Sequence, residues 1–220
     1  MNEISIAAAP ADVGGAAGIT ETLEERLLVL RWFAGLFREA PTEETVASLV
    51  HGPAAAFLEG LSKDPALGPD INYMRGLLAA KPDVKALTAQ LGVAFSHLFL
   101  GVGGFNTVAP YESCHVGESD RTFGQPTMEM DALLRHLGLS VVSDFHEPAD
   151  HISVELEIAA LLTATGDPQA RAMLTRLDRW IPAFADACFS RDPFGFYAAA
   201  ASALRAFLAR ECRAASAIAH

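Results

Sequence analysis

Acids and imidazoles crowd one short stretch of the chain: His146, Glu147, Asp150, His151 and Glu155. On a helix, His151 and Glu155 would share a face, because residues four apart are neighbours there. Imidazoles and carboxylates so placed can ligate a metal ion. Helical di-metal proteins use a related Glu-x-x-His spacing repeated on two helices, which this stretch does not reproduce. A helical metal-binding enzyme built on His146, His151, Glu155 and His115 is therefore one reading. Two others stand beside it: caps and a single His–Glu pair at a helix start, or a recognition edge for a peptide.

The second chemical-looking segment is Ala109-Pro110-Tyr111-Glu112-Ser113-Cys114-His115. A cysteine nucleophile needs an imidazole beside it in space and a lowered pKa. Adjacency of Cys114 and His115 in sequence supplies neither, and only the fold decides whether His151 approaches Cys114. Gly101-Val102-Gly103-Gly104 looks like a phosphate-binding loop, but it follows a helical pattern and lacks the Gly-Lys-Ser/Thr ending. Cys114, Cys188 and Cys212 are odd in number and widely spaced, which reads as three reduced thiols. Trp32, Phe33 and Phe37 read as core aromatics; Trp180 reads equally as core or groove lining. No segment makes a convincing active site, so binding is favoured over catalysis, and neither a cofactor nor a metal is expected.

The elements that must position these residues are helical. Leu23, Leu27, Leu30, Ala34 and Phe37 form one face of a helix over about 20–38, with Thr20 as its cap. Shorter helices follow to about Val50 and over 54–61, with a loop from Ser62 to Pro69. Helix resumes near Ile71, and Pro82 suits the start of another that carries Val84, Leu87, Leu91, Ala94 and Leu98. The stretch 101–126, with its glycines and the polar run 117–120, is the one long irregular segment. Met130, Leu133, Leu134 and Leu137 mark a helix ending near Gly138. Glu147–His151 opens the next, with Pro148 and Asp150 in its first turn. Its body, 152–165, is apolar on most sides and belongs at the centre of a fold. Two final helices carry Leu177, Ile181, Phe184 and Cys188, with a kink at Pro182, and then Phe194, Tyr197, Ala201, Leu204 and Leu208. No strand of clear alternation is found.

Residues 1–19 are expected as a disordered arm, 20–214 as an all-helical domain, and 215–220 as a tail. The domain divides into halves, 20–100 and 127–214, joined by the loop or hinge 101–126. Hydrophobic residues make up 51% and charged residues 20% of the 220, a globular composition. No apolar run approaches the roughly 18 residues of a membrane span. The first twenty residues hold no Lys or Arg and so lack the basic region of a signal peptide; a cytoplasmic location is expected. A net charge of −11 repels nucleic acid and attracts a basic partner.

The segment Glu147-Pro148-Ala149-Asp150-His151-Ile152-Ser153-Val154-Glu155-Leu156 resembles the Glu-Pro-x-Asp-His-x-x-x-Glu-Leu signature of the TorD/DmsD family of molybdoenzyme maturation chaperones. Pro110-Tyr111-Glu112-Ser113 resembles that family's Pro-Tyr-Glu-Ser motif, in the same order along the chain. Arg176-Leu177-Asp178-Arg179-Trp180 is similar to its His-Leu-x-x-Trp pattern, with Arg176 in place of the His. Cys114-His115 departs from the apolar and aromatic pair of many relatives.

The resemblance implies a single multi-helix all-α bundle that is not an enzyme. It implies binding to the catalytic subunit of an apo-molybdoenzyme through its twin-arginine signal peptide or N-terminal segment. Such a chaperone assists molybdopterin insertion and prevents premature export. A permanent assembly subunit of a reductase is a competing reading beside the chaperone and the metal-binding enzyme. Members are monomers or domain-swapped homodimers. Carried onto this sequence, the signal- and client-binding set is Asp150, His151, Glu147, Pro148, Glu155, Tyr111, Glu112 and Ser113. Glu147, Asp150 and Glu112 would meet the client's arginines. His151 would either orient a carboxylate or lock loop to helix.

Overall fold

The computed structural model describes residues 2–4, 22–80, 83–116, 124–141 and 146–217. Helix α1 (Leu23–Arg38) starts at a reciprocal cap. The Glu25 amide donates to the Thr22 hydroxyl at 3.2 Å, and the Thr22 amide donates to the Glu25 carboxylate at 3.0 Å. Thr22, not the expected Thr20, is the cap, because Thr22 has a Glu three residues on; Thr20 lies outside the described residues.

Helices α2 (Glu43–His51), α3 (Pro53–Leu61), α4 (Gly68–Ala79) and α5 (Val84–Phe99) follow. Asp83 caps α5 by accepting from the amides of Lys85 and Ala86. Pro82, expected at that start, lies outside the described residues, as do the polar run 117–120, most of the expected N-terminal arm and 218–220 of the expected tail, whose residues 215–217 continue the last helix. The irregular segment gives way at Gln125 to α6 (Gln125–His136), then come α7 (Ile152–Thr165), α8 (Ala170–Arg191) and α9 (Phe196–Ala217).

The helices before and after the long loop share one core. α1 lies against α7, α4 and α5 against α9, and α7 against α8, while α8 and α9 form a long antiparallel hairpin. Residues 152–160 and Leu162 of α7 are all buried, so this helix is enclosed on every side, as its unstriped composition requires. Trp32, Phe33 and Phe37 are core residues, and Phe37, Phe99, Phe184 and Tyr197 meet ring to ring across α1, α5, α8 and α9. At one end, Arg26 of α1 reaches Glu211 of α9 at 2.5 Å, and Arg210 pairs with Asp64 in the α3–α4 turn.

One feature has no counterpart in the sequence pattern. Asn2–Ile4 (β1) pairs in parallel with Leu139–Val141 (β2), in the register Asn2 to Leu139. Each strand is three residues long, too short for alternation to be read.

Candidate functional site

The loop after α5 is fastened to the segment before α7 by backbone. The Glu112 amide donates to the Asp150 carbonyl at 3.0 Å and the Ile152 amide to the Pro110 carbonyl at 2.9 Å, an antiparallel bridge of Tyr111 with His151. The Asp150 carboxylate completes the joint. It accepts from the Ser113 amide at 3.0 Å and from the Thr127 hydroxyl at 2.8 Å, tying loop, α6 and the approach to α7 together. Asp150 is fully buried. Beside it, the Tyr111 hydroxyl donates to Glu147 at 2.6 Å. Burial, then that carboxylate, pushes the Tyr111 phenol up.

This geometry corrects the expected helix start. α7 begins at Ile152 with His151 as its cap, so Pro148 and Asp150 stand in the preceding turn, where the His151 amide donates to the Pro148 carbonyl at 3.0 Å. The Ser153 amide donates to His151 Nδ1 at 3.2 Å. An amide can only donate, so Nδ1 is the unprotonated nitrogen. Burial pulls the imidazole down to about 3, which keeps it neutral. Its ring stands edge-on to Tyr111 at 5.4 Å.

A second layer is ionic. Glu112 and Glu155 are both fully buried, and Arg176 reaches each of them. Arg176 Nη1 also donates to Glu129 at 2.9 Å, and Nη2 to the Pro126 carbonyl at 2.9 Å. Trp180 Nε1 donates to Glu155 at 2.9 Å, and Arg179 Nη2 to Glu112 at 2.6 Å. Burial, then the neighbouring Glu112, holds the Glu155 carboxyl well above the usual carboxylate range. A protonated Glu155 can hydrogen-bond to Glu112, so two buried acids share one site beside Arg176 without two full charges. His115 stacks on Trp180 at 5.5 Å and its Nε2 donates to the Ala109 carbonyl at 2.7 Å.

The two sequence motifs contain the loop and helix residues of this joint, but do not reveal the part of Arg176 and Arg179 as their cationic partners. Arg176 and Arg179 stood in view as a broken motif; the signal was that one basic residue replaced another type one turn from a second basic residue. Glu129 and Thr127 gave no signal, since both sit on an ordinary helix. Trp180 is resolved as core, fully buried.

The metal reading gains nothing from the geometry. His146 is exposed, while His151 turns to Ser153 and Glu155 to Trp180 and Arg176. Among the described residues no three His, Cys, Asp or Glu side chains are placed to hold a metal ion. Outward from Arg176, a cavity of about 800 Å³ opens between α6 and α8, lined among others by Glu129, Leu133, Met173, Arg176 and Arg179.

Residues 65–186 match the nitrate reductase delta subunit family, a span holding both motifs and the Arg176–Trp180 segment. The chain is 34% identical to the chaperone protein TorD of Shewanella loihica, over 97% of this chain and 99% of that one. The chain belongs to the TorD family. The chaperone protein TorD of Photobacterium profundum is 32% identical over 84% of this chain and 91% of that one. A solved Archaeoglobus fulgidus protein, assigned as a redox enzyme maturation protein, superposes with a TM-score of 0.53 at 24% identity. It covers 84% of this chain and 93% of its own, and establishes the shared all-α fold. Within this TorD-family chain the loop motif and the helix motif are one structural unit.

Proposed function

We propose that this chain is a molybdoenzyme maturation chaperone that binds the twin-arginine signal peptide or N-terminal segment of its apo-enzyme. By holding that segment it assists molybdopterin insertion and prevents premature export. The observation that carries the reading is the fixed junction of the two motifs. It sets the buried Glu112 and Glu155 against Arg176, which lines the α6–α8 cavity together with Glu129. A basic peptide segment is recognised by carboxylates beside an apolar wall, and Leu133 and Met173 supply such a wall in this cavity.

The eight residues expected to bind the client divide into two tasks in this reading. Asp150, His151, Ser113, Pro148 and Glu155 hold the loop on the helices. Glu147, Tyr111 and Glu112, with Glu129 added, face the client. Of the two roles open to His151, the locking one is supported by its burial and its capping bond. The location is cytoplasmic, where a signal is met before export. No helix among the described residues is long and apolar enough to cross a membrane. The shared core of the two helical halves supports either a monomer or exchange of halves about 101–126 in a dimer, which sedimentation would decide.

The test is titration of a labelled twin-arginine peptide into the chain and into the double variant Asp150→Ala, His151→Ala. Loss of binding along with loss of thermal stability is expected. Unchanged affinity would remove the junction as the site. Copurification separates the chaperone from a permanent subunit: the chaperone accompanies the apo-enzyme and leaves the mature one.

A further inference from the structure

Two of the carboxylates assigned to a client's arginines, Glu112 and Glu129, already hold arginines from this chain. Arg176 and Arg179 lie one turn apart on α8 and meet the two oxygens of a single carboxylate. Arg179 Nη2 donates to Glu112 Oε1 at 2.6 Å, and Arg176 Nη2 pairs with Glu112 Oε2. Resting on the proposed function, we infer that Arg179 is an internal stand-in for a client arginine and must swing off Glu112 before the client can bind.

The two arginines differ in how firmly they are held. The Arg176 side chain is 15% exposed and is shared among Glu112, Glu129, Glu155 and the Pro126 carbonyl. Removing it would strand buried carboxylates, a heavy cost. The Arg179 side chain is 60% exposed, and among the described residues its hydrogen-bonded partner is Glu112. An exposed guanidinium leaves a single contact at little cost to itself. The cost falls on Glu112, which is fully buried and cannot turn to water. A client guanidinium arriving at the same oxygen restores what Arg179 takes away, so the exchange is nearly balanced for Glu112.

The way in is open. The Arg179 side chain is 60% exposed and lines the α6–α8 cavity together with Glu129 and Arg176, so the guanidinium that covers Glu112 is itself reached from solvent. Glu129, with a side chain 46% exposed, stands at that entrance for a second arginine. The exchange also sets specificity. A lysine ammonium is a more strongly hydrated charge than a guanidinium, and so replaces it less well at a buried oxygen. Because each binding event must first dislodge Arg179, affinity is held below what the site would otherwise give, and the client is released more readily.

The experiment measures binding of a labelled twin-arginine peptide by fluorescence anisotropy. The full chain is compared with Arg179→Gln, Arg179→Lys and Arg205→Gln. Arg205 is a 43% exposed arginine on α9 that pairs with the exposed Asp186, and its loss changes net charge equally. Arg179→Gln is expected to tighten binding about fivefold or more, close to 1 kcal/mol, while lowering the melting temperature of the unliganded chain, since among the described residues Glu112 then keeps only Arg176 as a cationic partner. Arg179→Lys should fall between it and the parent, and Arg205→Gln should shift binding by less than about twofold. Binding to Arg179→Gln no tighter than to the parent overturns the stand-in. Equal tightening by Arg205→Gln overturns it also, since the effect is then one of net charge. If neither the parent nor any variant binds the peptide, the proposed function falls and the stand-in falls with it.

Discussion

His151 and Glu157 are buried titratable groups whose shifts run in opposite directions along the pH scale. The His151 imidazole falls from 6.5 to about 3 because burial disfavours its charged form. Its contribution to stability is complete above pH 6.5 and drains away as pH drops toward 3. The loss amounts to about 2 kcal/mol at pH 5. Replacing it by Asn, which also caps helices, should flatten the fall in melting temperature between pH 7 and pH 5. Glu157, buried on α7, is raised from 4.5 to about 7 by burial, against the pull of Arg31 and Arg38. The folded chain therefore prefers it protonated, and its burial costs stability as pH rises from 4.5 through 7. Glu157→Gln should raise the melting temperature at pH 8 and leave it nearly unchanged at pH 5. Equal gains at both values would mean that something other than ionisation is at work. In the sequence Glu157 is one acid within the largely apolar stretch 152–165. Its burial depends on α1 packing against α7, a contact between distant parts of the chain that no local pattern encodes.

Helix existence was legible because apolar residues recur at helical spacing; helix starts were less so. α1 and α7 each begin later than their first polar signals. At α1, Thr20 and Thr22 compete, and only the Glu at the right distance from Thr22 decides. At α7, Asp150 has the chemistry of a cap, yet its carboxylate is drawn away to Ser113 and Thr127 and His151 takes the position. A tertiary contact overrode a local preference there. The start of α9 is built by Asp192, whose carboxylate accepts from the amides of Phe194, Tyr197 and Ala198. Gly195 within that turn has φ +83, and a Cβ there would stand 2.8 Å from the Tyr73 hydroxyl of α4. Gly195→Ala should therefore cost roughly 1–3 kcal/mol through strain and a displaced Tyr73. An unfolding titration checks it, and a neutral result would show that the α4–α9 junction yields. Of the short β1–β2 pairing nothing was legible, because three residues carry no period.

At the scale of the molecule, a net charge of −11 and a shared core across both halves describe an acidic body that stays folded around one enclosed helix. The all-α class and the family were legible, the first from periodicity and the second from two ordered motifs. What the sequence left out was the counter-charge: the chemical-looking acids of Glu147–Glu155 and the loop residue Glu112 are not an open acidic edge. Asp150 and Glu155 are spent inside, and Glu112 is already paired with Arg176 and Arg179. Binding of a basic segment to such a body should weaken as salt rises, since part of its attraction is long-range and screened. The measurement that tests the central claim most directly is calorimetric titration of the chain with a twin-arginine signal peptide and with its Lys-Lys counterpart. Stoichiometric binding of the arginine peptide, weakened about tenfold or more by the lysine replacement, is the expected result. Equal affinity for the two peptides, or for neither, would contradict the assignment of this junction as a receptor for client arginines.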